Sequence, residues 1–182
     1  EDIQAKILGT TAHIIVQDRM KDGMSDYEPT TKQIEGVQDV VAATPFVLKQ
    51  VLLTTPNGVQ GIVLRGIDPQ REGHVTELAK NLGTGELSDL SKPVKIKQPP
   101  ADDPTGPAVE TEKPGIILGK ELAMRLGAFV GDTVNVVSPV GPISAMGMVP
   151  KIRTFAVVGL FHSRMYEYDS SLAYIDLAEA QK

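Results

Sequence analysis

GIILGKELAMRLGAFVGDTVNVVS, residues 115–138, predicts a strand, a helix, a turn and a second strand in that order. Its first five residues are apolar or glycine, as in a short buried strand. The next seven have one apolar helical face, formed by Leu122, Ala123 and Leu126. Gly127 is a natural end for that helix, and residues 133–138 are rich in Val, as strands are. This succession indicates a fold that mixes helices and strands.

A long apolar segment, residues 139–150, follows and is called the arm below. It lies between the strand at 133–138 and a Val- and Phe-rich strand predicted at 155–161, and no charge occurs between Ser138 and Lys151. Hairpin connections usually have about two to five residues and are polar. An arm of this length and composition therefore either packs into the core or is held out for a partner to grip.

The first half of the chain contains a predicted hairpin. Residues 47–54 and 59–65 both resemble strands, and Pro56-Asn57-Gly58 separates them. Asn-Gly tolerates the positive φ values that a tight hairpin turn demands. We therefore expect these two strands to pair.

Weaker patterns predict a strand at 12–16, a short helix opening at Tyr27, a helix at 75–82, and a last strand at 171–176 that leads into a helix. Residues 91–115 instead contain six prolines, at 93, 99, 100, 104, 107 and 114. Proline lacks the N–H donor that a helix or a central strand needs. We interpret this part as an irregular exposed connection, which is either a linker between domains or a surface excursion within one.

Composition limits the classes of function. The 182 residues are 41% hydrophobic and 23% charged, which is typical of a globular protein. The net charge of −5 and the scattered Lys and Arg make a nucleic-acid surface improbable. The chain has no Cys, which removes disulfides, thiolate metal sites and Cys nucleophiles.

Candidate catalytic groups are scarce. His13, His74 and His162 stand in three separate predicted elements, and no zinc signature surrounds them. The paired acidic residues at 102–103 and at 110 and 112 fall in the proline-rich part, where exposure does not shift a pKa as catalysis requires. We therefore predict no catalytic residue, no metal site and no cofactor.

Four ordered segments, residues 5–15, 115–139, 146–161 and 168–181, resemble the extracytoplasmic domain of lipoprotein-releasing ABC transporter permeases of the LolC/LolE type. Only the proline-rich middle lacks the resemblance. The resemblance implies a periplasmic domain that lies between two transmembrane helices of an inner-membrane permease. This would explain why the sequence lacks an initial Met and why both of its ends look cut from something longer. The implied fold class is α+β, in the superfamily of MacB-like periplasmic core domains.

The resemblance also implies two subdomains. A porter-like α/β part with a mixed sheet would comprise residues 1–66 and 151–182. A smaller, β-rich mixed part, residues 67–150, would carry a protruding β-hairpin at 139–150.

In LolC-type members a protruding hairpin, the hook, grips the soluble LolA-type chaperone that receives the lipoprotein. The hook falls on the arm, with contact residues Pro139, Gly141, Pro142, Ile143, Ala145, Met146, Gly147, Met148, Val149 and Pro150. A polar pad beside the hook maps onto Asn135, Ile152 and Arg153, with Lys151 as a substitute. Asn135 and Ile152 depart from the basic and polar residues expected there, whereas Arg153 matches.

The leading interpretation is therefore a non-enzymatic domain that recruits a lipoprotein-carrier chaperone. The other implied partners are an identical or paralogous permease subunit, a cytoplasmic ATPase subunit and the lipoprotein substrate. One alternative is a MacB-like efflux permease whose domain meets a periplasmic adaptor. A second alternative is a free periplasmic enzyme or ligand-binding domain, which predicts a concave pocket with converging polar groups.

Overall fold

The computed structural model describes residues 12–18, 23–24, 26–98, 107–138, 143–144, 147–148 and 150–182. The described helices are α1 (Tyr27–Glu35), α2 (Pro69–Val75), α3 (Leu78–Asn81), a 3₁₀ helix η1 (Leu87–Ser91), α4 (Lys120–Leu126), α5 (Tyr166–Ser171) and α6 (Leu177–Ala180). The described strands are β1 (Phe46–Thr55), β2 (Gly58–Ile67), β3 (Leu82–Thr84), β4 (Val94–Gln98), β5 (Val109–Lys113), β6 (Gly115–Gly119), β7 (Thr133–Ser138), β8 (Ile143–Ser144), β9 (Gly147–Met148), β10 (Lys151–Phe161) and β11 (Leu172–Asp176).

Seven strands form one mixed sheet in the order β3-β10-β6-β11-β2-β1-β7, and β7 also pairs with β10. This last pairing closes six strands into a ring. The two neighbours of β10 in the ring, β6 and β7, lie on opposite edges of that strand, since Ala156 N donates to Pro114 O while Val157 N donates to Asp132 O, both at 2.9 Å. The predicted α+β class with a mixed sheet is confirmed.

The ring encloses the main hydrophobic core. One cluster of buried side chains takes members from all six strands of the ring, together with Leu122, Ala123 and Leu126 of α4 and Ala180 of α6. A second cluster, which includes Ile117, Phe161 and Tyr174, lies on the outside of the sheet beneath residues 78–90. Each fully buried large aliphatic side chain contributes roughly 1.5–3 kcal/mol to stability. The outer face of β1, β7 and the start of β10 has no such cover among the described residues.

The helix α4 ends where the sequence predicts. Gly127 adopts a left-handed conformation with φ of 59°, and a Cβ there would lie 2.6 Å from Asn57 Nδ2. Thr55 Oγ1 donates to Leu126 O at 2.9 Å, so the β1–β2 hairpin binds the last turn of this helix. The predicted hairpin itself is confirmed, but its two turn residues are Pro56 and Asn57, and neither Asn57 nor Gly58 has a positive φ.

The strand predicted at 12–16 is wrong. Residues 12–18 form no strand, and Ile14 is 77% exposed. Apolar β-branched residues fit a strand only where a neighbouring strand and a buried face exist, and the described residues provide neither here. His13, in the same segment, is exposed.

The helix predicted at 75–82 is two helices, α2 and α3. The first begins earlier, at Pro69, because Asp68 caps it by accepting a hydrogen bond from Gln70 N at 2.9 Å. It ends at Val75, because the next residue, Thr76, has an extended backbone and a hydroxyl that lies 3.4 Å from Leu78 N. A hydroxyl that bonds to nearby backbone competes with helix propagation.

The proline-rich part is less irregular than predicted. Its two proline-free runs, β4 and β5, pair antiparallel as a separate two-stranded sheet. Strands from both predicted subdomains share the seven-stranded sheet, since β3, β6 and β7 come from 67–150. The division into 1–66 with 151–182 and 67–150 stays a prediction.

Candidate functional site

The arm connects two paired strands of the ring. Within it, β8 and β9 pair antiparallel through Ile143 with Met148 and Ser144 with Gly147. These two strands form a sheet of their own, separate from the seven-stranded sheet. Pro150 is exposed. The other predicted hook residues, Pro139, Gly141, Pro142, Ala145, Met146 and Val149, lie outside the described residues.

The base of the arm is a ladder of three strands. Asn135, Val136 and Val137 of β7 pair with β1 on one edge and with β10 on the other. Because successive side chains of a strand point to opposite faces, the pad residues divide into two sets. Asn135 and Ile152 lie on the outer face, whereas Lys151 and Arg153 share the parity of the buried Phe155, on the inner side.

The outer set forms an exposed apolar row. Ile152 pairs with Val137, which pairs with Leu52, so the three side chains lie side by side across β10, β7 and β1. Ile152 is 63% exposed and Leu52 is 44% exposed. The next row contains Thr154, Asn135 and Thr54, with Thr154 Oγ1 donating to Asn135 Oδ1 at 2.7 Å. These two rows carry no charged side chain, and we call them the outer rows.

Leu52 also belongs to this surface, although it was not among the predicted site residues. Its place follows from the β1–β7 pairing, which joins residues 85 positions apart. In the sequence it is one of several apolar residues in a strand. Alternation within β1, with Val51 and Leu53 buried, is the signal that places Leu52 on the opposite face.

The inner set is engaged with the end of the chain. Arg153 Nη1 donates to Glu179 O at 2.8 Å, Arg153 Nη2 pairs with Glu179 Oε2, and Lys151 Nζ donates to Lys182 O. Burial alone would raise the pKa of Glu179. Hydrogen bonds from Lys182 and Arg153 outweigh it and lower that pKa below its ordinary value.

A second polar cluster surrounds Asp169, which the sequence analysis did not connect with His162. His162 Nδ1 lies 2.7 Å from Asp169 Oδ2, and Ser163 N and Oγ both donate to Asp169 Oδ1 at 2.7 Å. The serine hydroxyl therefore points to the carboxylate and not to the imidazole. The buried Asp169 carboxylate thus holds the loop before α5 through three contacts.

A third cluster is buried beside α2. Glu72 Oε1 lies 3.3 Å from Arg65 Nη2 and accepts from Thr76 Oγ1 at 3.2 Å. Burial raises the pKa of Glu72, although Arg65 opposes the shift. The Arg65 guanidinium carbon also lies 4.9 Å from the centre of the Phe46 ring. These contacts join α2 to β1 and β2, which is a structural role.

Two further properties concern the described residues. Across those ranges, no group of three or more His, Asp or Glu side chains is placed to hold a metal ion. None of the helices in the same part of the chain has the length and hydrophobicity to cross a membrane.

Comparison with known proteins points to one kind of relative. No family model matches the chain. The lipoprotein-releasing system transmembrane protein LolC of Neisseria meningitidis serogroup B is 30% identical over 100% of this chain and 39% of the relative. LolC proteins of two Xylella fastidiosa strains are each 29% identical with the same coverage.

A solved structure, the extracellular domain of the noncanonic ABC-type transporter YknZ from Gram-positive bacteria, has a TM-score of 0.43 and 17% identity. It covers 85% of this chain and 64% of its own. The chain spans about two fifths of the length of the curated relatives that it matches. The chain is therefore similar, along its whole length, to one segment of LolC transmembrane proteins of the lipoprotein-releasing system.

Proposed function

We propose that the chain is a periplasmic domain of an inner-membrane ABC transporter permease, and that its arm recruits a LolA-type carrier chaperone to which extracted lipoproteins are passed. The observation that carries the proposal is the arm itself, a hairpin-bearing apolar segment set between two ring strands and separate from the main sheet. Its support from outside the structure is the similarity to LolC over the whole chain.

The arm has the chemistry for this task. Ile143, Met146, Met148 and Val149 together would contribute about 6–10 kcal/mol gross if a partner buried them, from which the losses of association are subtracted. Methionine adapts to irregular partner surfaces, because its side chain is unbranched and polarisable. An interface of this kind suits a carrier that must bind and leave repeatedly.

The outer rows extend the proposed contact beyond the arm. Lys151, the first residue of β10, directly follows the arm, and Ile152 is the next residue of the chain. A carrier that grips the arm would therefore meet the row of Ile152, Val137 and Leu52. This row offers apolar area without charge, so we expect the interaction to depend weakly on salt.

The remaining steps would belong to other subunits. We propose that the domain is non-catalytic, that a cytoplasmic ATPase subunit hydrolyses ATP, and that a second permease subunit completes the transporter. In this scheme the lipoprotein reaches the carrier through the assembled permease. The His162–Asp169 and Arg65–Glu72 clusters are structural contacts and take no part.

The test is a pull-down with the cognate LolA-type carrier. Replacing Ile143 with Asp, or Met146 with Asp, should abolish capture while the circular dichroism spectrum and the melting temperature stay as in the wild type. Phe129→Asp is the matched control, since Phe129 is 64% exposed and precedes the opposite end of β7. Undiminished capture by both arm variants would refute the proposal, and specific co-purification of an adaptor protein would favour the MacB-like alternative.

A further inference from the structure

Arg153 is bound by the last helix of the chain. Its guanidinium makes two contacts with Glu179, one to the backbone oxygen at 2.8 Å and one to the carboxylate. The Phe155 ring centre lies 5.4 Å from the guanidinium carbon. Only 28% of the Arg153 side chain and 19% of the Glu179 side chain is exposed. A planar guanidinium that binds one residue at two points has a fixed direction.

The same helix end is bound from the other side of β7. Lys49 Nζ, on β1, donates to Ala180 O at 2.7 Å. The last carbonyl groups of a helix have no acceptor role inside the helix, and Lys or Arg side chains commonly satisfy them. The second carboxylate oxygen of Glu179 is occupied as well, because Lys182 Nζ lies 2.7 Å from Oε1. The two strands that flank β7 are thus both attached to α6.

This attachment lies close to the arm. Arg153 is the third residue of β10, and β10 begins directly after Pro150, the last residue of the arm. Opposite Arg153 in the ladder is Val136, on the strand that enters the arm. A contact that fixes residue 153 therefore restrains the two paired strands between which the arm is set. Without that contact, the start of β10 keeps only its ladder with β7 and the hydrogen bond from Lys151 Nζ to Lys182 O among the contacts described above.

We propose that Arg153 is a positioning residue, which holds the base of the arm on α6 through Glu179 and affects carrier binding only by that route. The proposal rests on the proposed function for its binding part. It differs from a direct role in a pad, because both terminal nitrogens of Arg153 are engaged by Glu179 and its side chain lies on the inner side of β10.

A double-mutant cycle tests the proposal. Arg153→Gln, Glu179→Gln and the double variant are titrated with the cognate LolA-type carrier, and hydrogen exchange is followed at the amides of residues 151–154. Each single variant should weaken binding about 3- to 10-fold, and the double variant should weaken it no further than Arg153→Gln, since both single variants remove the ion pair between Arg153 Nη2 and the Glu179 carboxylate. Exchange at 151–154 should accelerate in all three variants and stay unchanged in β6. Glu77→Gln, which breaks the exposed ion pair of Glu77 with Lys80, is the matched control and should match wild type.

A direct contact of Arg153 with the carrier predicts another pattern. Glu179→Gln would then release Arg153 Nη2 from its ion pair and leave binding unchanged or tighter, while Arg153→Gln weakens it; that result overturns the proposal. Unchanged exchange at 151–154 in Glu179→Gln overturns it too. If the wild type fails to bind the carrier, the proposed function fails and the binding part falls with it, whereas the exchange data still decide whether Arg153 positions the base of the arm.

Discussion

Replacing Gly119 with Ala should strongly destabilise the fold. Gly119 joins β6 to α4, and a Cβ there would lie 2.2 Å from the backbone oxygen of Asp169 and 2.8 Å from its Cα. Real Cβ atoms essentially never approach other atoms closer than 3.0 Å, so α5 must move away by about 0.8 Å. The carboxylate of Asp169 would be carried with it, away from His162 and Ser163.

Overpacking of this kind costs about 1–3 kcal/mol, and occasionally more. We expect a loss near the upper end, about 3 kcal/mol, because the opposing atoms are backbone and cannot rotate away. For a chain of this size that loss lowers the melting temperature by roughly 6–12 °C. Urea unfolding, followed by circular dichroism, measures the free energy, and a thermal scan measures the shift.

Gly61→Ala is the matched control. Gly61 also lies in a strand, but nothing stands within 4 Å of a Cβ placed there. This change should leave stability unaltered or raise it by up to about 1 kcal/mol, since alanine restricts the unfolded chain. A Gly119→Ala variant within 0.5 kcal/mol of the wild type (about the error of such measurements) would show that the close approach of β6 and α5 is wrong.

Three further predictions concern the outer rows, the end of the chain and the core. Ile152→Asp should weaken carrier binding, measured by calorimetry, about 5- to 30-fold, because burying the 63% of Ile152 that is exposed is worth roughly 1–2 kcal/mol. The affinity of the wild type should change little between about 0.05 and 0.5 M NaCl. The lowered pKa of Glu179 stabilises the folded chain above its ordinary value of 4.5, and this stabilisation is lost as pH falls through the lower folded value; Glu179→Gln should therefore show a shallower decline of the unfolding free energy in acid than the wild type. Leu53→Ala, at a fully buried position of the ring, should cost about 2–5 kcal/mol in urea unfolding.

The sequence predicts those elements whose signals are local. The helix α4 has an apolar face followed by a glycine, and the structure ends it at Gly127 with the expected left-handed backbone. The β1–β2 hairpin has a two-residue turn between two long strands. In both cases the determining residues lie within a few positions of one another.

Long-range pairing could not be predicted in this way. The closure of the ring depends on β7 finding both β1 and β10, and no short-range pattern specifies that choice. The same limitation affected residues 12–16, where strand-like composition met no partner strand among the described residues.

Site residues follow the same rule. Ile152 and Arg153 are neighbours in sequence and were assigned to one pad, but alternation along β10 sends them to opposite faces. Glu179 could not be linked to Arg153 from the sequence, since 26 positions separate them. Leu52 became part of the outer rows only through the ring.

The pairing of β7 on both edges limits how a partner could bind to residues 135–137. Residues 135–137 already pair with β1 on one edge and with β10 on the other. A peptide therefore cannot bind there as an additional β-strand. A partner that contacts residues 135–137 would instead have to recognise the shape and hydrophobicity of their side chains. Inhibitors that mimic an extended β-strand should accordingly bind this surface more weakly than compact hydrophobic ligands.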